Sequence, residues 1–167
     1  MSTPIRFIAK LEKITPYVED VFKLYFVAEH KNTRFKPGQF LHLTLEDFDP
    51  IEAYWPDSRV FSICSPPRSC VISIVYSVKG AYTTRMRNEL VEGEEYWLKL
   101  PYGDFIIEHH VGLKEAAVLI AGGTGNSPFI STLPACAIHS IPGFVHMPDT
   151  QEPSVEPLLQ LQGLHDS

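Results

Sequence analysis

Short runs that alternate apolar and polar residues occupy the chain from Ile5 to about Leu100. The runs are rich in Val, Ile, Phe and Tyr, and turn-forming residues separate them, as in an antiparallel sandwich or a small barrel. One segment departs from this pattern, because Thr83–Leu90 (TTRMRNEL) consists of good helix formers with a threonine able to cap near its start. We therefore predict a mainly β fold, a six-stranded antiparallel Greek-key barrel with one capping helix. The six predicted strands are IRFIAKLEKI, DVFKLYFVA, QFLHLTL, SRVFSIC, CVISIVYSV and EYWLKL.

The pattern changes after residue 112. Residues Ala116–Ala121 (AAVLIA) form a continuous apolar run, which is typical of a strand buried on both faces of a parallel sheet. A Gly-rich turn and a helix start follow, the arrangement by which α/β domains bind nucleotide phosphates. The remaining chain is rich in proline and too short for such a domain. We predict a barrel domain over 1–112, a βα stub of an α/β nucleotide-binding domain over 113–133, and an irregular or disordered tail over 134–167.

Composition narrows the classes of function. The net charge of -6 argues against a nucleic-acid protein that works through a broad basic surface. The sequence contains neither a signal-peptide core nor an apolar run of membrane-spanning length, so we expect a cytoplasmic protein without a membrane span. The three cysteines fit no disulfide framework and no metal-ligand spacing, which predicts free buried thiols and no metal site.

Two segments carry candidate ligand chemistry. In Arg59–Ser62 (RVFS), an arginine suits a phosphate, an aromatic ring suits stacking and a hydroxyl suits a heteroatom. On a strand Arg59 and Phe61 share a face, with Ser62 at the strand end; the alternative is an amphipathic strand with an incidental arginine. In Lys79–Thr84 (KGAYTT), Gly80 allows close backbone approach and the following amides enter a helix N-terminus, which suits a pyrophosphate. The alternative there is an ordinary capped turn.

Four motifs in this order, RVFS, SVKGAYTT, LPYGDF and VLIAGGTGNSPF, make the chain resemble the ferredoxin–NADP reductase superfamily over about residues 5–133. Members have an antiparallel FAD-binding barrel followed by an NAD(P)-binding α/β domain. The resemblance implies FAD as cofactor and NAD(P)H as co-substrate, if the α/β domain is supplied. Pro101, Gly103 and Phe105 match the family's turn between the two domains, although Leu100 replaces its first glycine.

Matched position by position, the resemblance also implies roles for single residues. Arg59 pairs with the FAD pyrophosphate, Phe61 takes the place of the usual tyrosine against the isoalloxazine ring, and Ser62 is the catalytic contact near flavin N5. Val78 lies near the flavin through its backbone. The pyrophosphate is held by Gly80, Ala81, Tyr82 and Thr83, and the nicotinamide is approached by Gly123, Thr124 and Gly125.

The implied function is that of an NAD(P)H-dependent oxidoreductase, which transfers hydride to FAD N5 and electrons onward to an acceptor such as ferredoxin or flavodoxin. The family's later Cys-Gly-Pro turn near the nicotinamide is not recognisable, and the match stops near Leu133. A truncated gene, a frameshifted tail or a partial chain would each explain this ending. The alternative function is a non-catalytic flavin-binding or interaction module, with a partner chain or a dimer completing the domain. An empty barrel used as a scaffold is a third hypothesis.

Overall fold

Six antiparallel strands form one sheet in the computed structural model, which describes residues 3–28, 34–51, 54–67, 69–111 and 119–132. The strands are β1 (Ile5–Val18), β2 (Val21–Val27), β3 (Phe40–Thr44), β4 (Ser58–Ser62), β5 (Val71–Ser77) and β6 (Glu95–Tyr102). Their order is β4-β3-β6-β1-β2-β5. The outer strands meet where Ile63 bridges Ile74, and the Cys64 amide donates to the Ser73 carbonyl at 2.7 Å. The sheet thus curls into the barrel that the sequence predicts.

Alternation along most of the strands supplies the core, whereas β4 has no fully buried residue of its own. Leu41 and Leu43 of β3 are fully buried, whereas His42 between them is only half-buried, because successive side chains point to opposite faces. The same alternation buries Leu24 and Phe26 of β2. Each such side chain contributes about 1.5–3 kcal/mol by leaving water. A barrel of this size is therefore filled by its own side chains, and a ligand must bind at its edge or end.

Helix α1 (Ala81–Glu89) covers one end of the barrel and inserts Tyr82 and Met86 into the core. It begins two residues before the predicted Thr83, with Gly80 as N-cap, and ends before Leu90. Thr83 lies inside the first turn, where its Oγ1 accepts hydrogen bonds from the amides of Lys79 at 2.9 Å and Gly80 at 3.1 Å. The threonine therefore caps the helix from within, and burial of Tyr82 extends the helix past it.

The Gly-rich segment lies against the barrel as irregular chain, a 3₁₀ turn at Gly123–Asn126 and a short helix α2 (Ser127–Ile130). A helix thus starts where the sequence predicts one. The strand predicted over 116–121 is not formed in its described part, since residues 119–121 are irregular and Ile120 is 78% exposed. A buried parallel strand needs paired neighbours and cover on both faces, and the described chain places neither around Ile120. Residues 112–118 and the predicted tail over 134–167 lie outside the described residues.

The two described cysteines differ in exposure. Cys64 is buried as predicted, but Cys70 is exposed, because it lies in the turn that leads into β5. Cys136 lies outside the described residues. Among the described helices, none combines the length and the apolar character needed to cross a membrane.

Candidate cofactor-binding site

The outer strands β4 and β5 separate just beyond the bridge that joins them. Continuing the register of that bridge would pair the last three residues of β4 with the last three of β5, but no such pairing is formed there, and the two strand ends line an open cavity of about 270 Å³. We call this unpaired interval, Val60–Ser62 facing Val75–Ser77, the seam. Because β4 pairs with β3 and β5 with β2 on their other edges, the free backbone edges face the cavity. The cavity is lined by Val60, Phe61, Ser62, Val75, Tyr76, Ser77, Thr124 and Ser127.

Aromatic rings form part of the cavity wall. The rings of Phe61 and Tyr76 meet edge to face with centroids 6.3 Å apart, and Tyr76 stacks on Phe22 at 5.5 Å. Burial raises the pKa of Tyr76 to about 12, so its phenol stays neutral at physiological pH. Ring faces and edges of this kind are suited to a flat aromatic ligand.

The polar side chains that line the cavity carry hydroxyls, and none of the lining residues that the structure describes is charged. Ser62 stands at the end of β4, and the Ser127 hydroxyl donates to the Thr124 carbonyl at 2.7 Å. The Cys64 thiol lies close by, with its Sγ 3.7 Å from the Ser62 carbonyl oxygen. Burial raises the pKa of this thiol and keeps it protonated. A neutral cavity with hydroxyls favours a neutral heteroaromatic ring over a phosphate.

The cavity volume limits what can enter. Pockets that hold a whole drug-sized ligand measure roughly 300–1,000 Å³, so 270 Å³ accommodates a ring system and leaves the rest of a dinucleotide outside. Such a ligand must therefore continue along the neighbouring surface. The residues predicted to bind phosphate lie next to the cavity along both strands. Arg59 precedes the lining residue Val60, and Gly80 follows the lining residue Ser77 by three positions.

A cation and a helix N-terminus converge at that neighbouring surface. The Arg59 guanidinium carbon lies 4.6 Å from the centroid of the Tyr82 ring in the first turn of α1, a cation–π contact. Arg59 also donates to the Asp57 carboxylate at 2.6 Å. The Tyr82 hydroxyl donates to the Leu43 carbonyl at 2.8 Å, which ties this ring to β3. Burial raises the pKa of Tyr82 to about 12.

The first turn of α1 presents backbone donors beside Arg59. Helical bonding begins with the Thr84 amide, which donates to the Gly80 carbonyl at 2.9 Å. The amides of Ala81, Tyr82 and Thr83 precede it and point out of the helix end, where the dipole favours an anion. A Cβ atom placed on Gly80 would meet no atom within 4 Å, so the space beside the N-cap residue is open. The donor set fits a pyrophosphate.

The structure brings most of the predicted site residues together in two adjoining regions, the cavity and the surface beside it. Phe61, Ser62 and Thr124 line the cavity, whereas Arg59 and the chain from Gly80 to Thr83 form the cationic place beside it. Val78 connects the two, partly buried, with its amide donating to the Asp20 carbonyl at 2.8 Å.

The two predicted glycines of the Gly-rich turn lie beside the cavity without lining it. Gly123 and Gly125 are exposed on either side of Thr124. Gly123 adopts φ +53°, a left-handed conformation that favours glycine.

Sequence reasoning missed five of the residues that line the cavity. Tyr76 is the most informative of them, because it supplies the second aromatic wall. Tyr76 faces Phe61 only when the register of the Ile63–Ile74 bridge is continued, and the turn residues Pro66-Pro67 do not give that register. The residues missed are Val60, Val75, Tyr76, Ser77 and Ser127.

The model of a protein family described as an FAD-binding domain matches residues 6–128. The chain belongs to this FAD-binding family. The match confirms the predicted FAD-binding domain, and its barrel shares the fold of a ferredoxin NADP⁺ reductase.

Solved structures share the fold at low sequence identity. The chain is similar to a cytochrome P450 reductase from Amycolatopsis, with 18% identity, a TM-score of 0.69, and coverage of 81% of this chain and 40% of that one. It is similar to a flavohemoglobin from Malassezia yamatoensis with bound FAD and heme, with 23% identity, a TM-score of 0.69, and coverage of 82% and 36%. A ferredoxin NADP⁺ reductase from Neisseria gonorrhoeae with bound FAD and NADP gives 17% identity, a TM-score of 0.66, and coverage of 81% and 53%. The chain therefore spans about half or less of these proteins.

Proposed function

We propose that this FAD-binding domain holds the flavin ring in the seam cavity and the pyrophosphate at Arg59 and the first turn of α1, and that it serves as the flavin half of an NAD(P)H-dependent oxidoreductase. One observation carries the proposal. A neutral cavity with aromatic walls opens directly beside a fixed cation and a helix N-terminus, in the order that a dinucleotide requires.

Each predicted residue has a task in this arrangement. Arg59 and the amides of Ala81–Thr83 neutralise the pyrophosphate. Phe61 would pack on the ring system, and Ser62, at the end of β4, would direct its hydroxyl towards the ring. A bound flavin would supply the hydride acceptor, N5, for onward electron transfer. The protein contributes placement and electrostatics, and no side chain is required as a general acid or base.

Thr124 marks the side from which a nicotinamide approaches. The exposed Gly123 and Gly125 flank it and leave space for a second ring at the cavity mouth. NAD(P)H as co-substrate is supported by the bound NADP in the ferredoxin reductase that shares the fold. We propose ferredoxin or flavodoxin as the class of electron acceptor, and a partner chain or further residues as the source of the remaining nucleotide-binding surface.

The test uses the purified chain reconstituted with FAD. We expect a yellow protein that releases FAD on denaturation, and loss of the flavin colour when NADH or NADPH is added without oxygen. FAD binding without bleaching would contradict the oxidoreductase and favour the non-catalytic flavin module. Absence of FAD from the reconstituted protein would contradict the proposed placement altogether.

A further inference from the structure

Two contacts join helix α2 to loops of the barrel, one through a buried hydroxyl and one between rings, in addition to the contact of the Gly123–Asn126 turn with β5. Ser131, fully buried just after the helix, accepts a hydrogen bond from the Gly38 amide at 3.2 Å. The rings of Phe129 and Phe105 lie 5.8 Å apart between centroids. These two contacts join the Gly-rich segment to the loop before β3 and to the chain after β6.

The attachment point on the barrel is rigid. Gly38 adopts φ +90°, and a Cβ atom at this position would lie 1.8 Å from the Phe105 carbonyl oxygen, so the two backbones are packed without space for a side chain. The Gln39 side chain donates to the Gly103 carbonyl at 3.0 Å and fixes the same loop. An amide held in this way presents its N–H in one direction.

The position of α2 determines the position of the cavity wall. Ser127, the first residue of α2, lines the cavity and donates to the Thr124 carbonyl. The Gly125 amide donates to the Gly122 carbonyl at 3.0 Å, which closes the turn on itself. The turn and α2 therefore form one short hydrogen-bonded segment, and we expect a displacement at Ser131 to shift Thr124 and Ser127 relative to β4 and β5.

We propose that Ser131 is a positioning residue that holds Thr124 and Ser127 against the seam cavity by accepting the Gly38 amide hydrogen bond. Ser131 does not line the cavity, so its effect on a ligand passes through the turn. The inference rests on the proposed placement of the flavin ring in this cavity. It makes the affinity for the ring depend on a hydroxyl that does not touch it.

Thr132 provides a matched control. Its hydroxyl donates to the Pro128 carbonyl at 3.1 Å, as the Ser131 hydroxyl does at 2.9 Å, and both residues are buried. The bond from the Gly38 amide goes to Ser131. Ser131→Ala and Thr132→Val each remove one hydroxyl bonded to Pro128, so their difference isolates the attachment to the barrel.

The first measurement is amide hydrogen exchange on the full chain. In Ser131→Ala we expect the amides of Gly38 and Gly125 to exchange about fivefold faster, the factor that corresponds to one lost hydrogen bond. In Thr132→Val we expect both rates to stay near those of the unmutated protein. Equal exchange at Gly125 in the two variants would overturn the proposal, because the turn would then hold its place without Ser131.

The second measurement is the dissociation constant for FAD and for riboflavin, which has the ring without the phosphates. Ser131→Ala should raise the dissociation constants of both ligands by the same factor, about fivefold. Thr132→Val should leave both dissociation constants unchanged. A loss of affinity for FAD but not for riboflavin, or an equal loss of affinity in the two variants, would overturn the positioning role. If the unmutated protein binds neither ligand, the proposed function fails, and exchange at Gly125 still decides whether Ser131 holds the turn.

Discussion

Arg59, which we propose to bind the pyrophosphate, adds little to the stability of the barrel. Its ion pair with Asp57 joins two side chains that are 50% and 61% exposed, and exposed pairs contribute about 0–1 kcal/mol. The Tyr82 ring beneath the guanidinium is itself fixed by the bond to Leu43. The cation is therefore held in place before any phosphate arrives, which reduces the entropy lost on binding.

Arg59→Ala tests this role directly. We expect FAD affinity to fall about tenfold or more, because a charge-assisted hydrogen bond is worth roughly 1.5–3 kcal/mol, while riboflavin affinity and the free energy of unfolding stay nearly unchanged. Fluorescence titration and urea unfolding measure these quantities. Arg87→Ala is the control, since Arg87 is a similarly exposed arginine that pairs with Asp20 at 2.8 Å. An equal loss of riboflavin affinity in Arg59→Ala would contradict the assignment.

Ser62 is expected to affect the rate of reduction more than the binding of FAD. Ser62→Ala removes the hydroxyl beside the reacting edge of the ring, so hydride transfer from NAD(P)H should slow about fivefold if one hydrogen bond strengthens in the transition state. Stopped-flow bleaching of the reconstituted protein measures this rate. Ser77→Ala removes a hydroxyl from the opposite strand of the same cavity and should leave it unchanged. Similar slowing in both variants would argue against a special role for Ser62.

At the scale of the element, the start of α1 depends on Thr83. Its hydroxyl accepts hydrogen bonds from the amides of Lys79 and Gly80, so Thr83→Val should destabilise the protein by about 1 kcal/mol. The same variant should weaken FAD binding, because the first turn is displaced. Thr83→Ser should restore both. Thr84→Val is the control, because the Thr84 hydroxyl makes none of these bonds. Urea unfolding and FAD titration of the three variants check the prediction, and full stability in Thr83→Val would contradict it.

The elements also show how far sequence reasoning reaches. Strands such as β3 were predictable because they bury alternate residues, as Leu41 and Leu43 show. The first turn of α1 was not predictable from its own sequence. The Tyr82 hydroxyl in this turn donates to the carbonyl of Leu43 in β3, which is far away in sequence. The run before Gly122 looks like a buried strand from composition alone, but burial needs partner strands, and Ile120 has none among the described residues.

At the scale of the molecule, closure of the barrel determines the site. Phe61, Ser62 and Thr124 were recognisable from motifs, but only the meeting of β4 with β5 brings Tyr76 opposite Phe61. Thr124 joins them through contacts of α2 with two distant loops, which no local pattern encodes. The sequence therefore identifies the chemistry of the site better than the walls that enclose it.

The buried tyrosines make stability depend on pH in the alkaline range. Burial raises the pKa of Tyr76 and of Tyr82 to about 12 in the fold, compared with a pKa of about 10 for tyrosine in the unfolded chain. The fold favours the neutral phenols, so their contribution is fully present below about pH 10 and is lost as the pH rises towards about 12. Urea unfolding across this range should show that decline, and a Tyr76→Phe, Tyr82→Phe double variant should show a shallower one. If the free energy of unfolding fell equally steeply with pH in both proteins, the two tyrosines would not be the cause of the decline.

The seam has a consequence for how the chain behaves in a cell. Without a ring in the cavity, β4 and β5 present unpaired backbone edges, and free strand edges are templates for pairing with another copy of the same chain. Flavin that binds only the folded state stabilises it by mass action and covers these edges. We therefore expect riboflavin supply during synthesis to set how much of the chain accumulates as dispersed protein and how much aggregates through this opening.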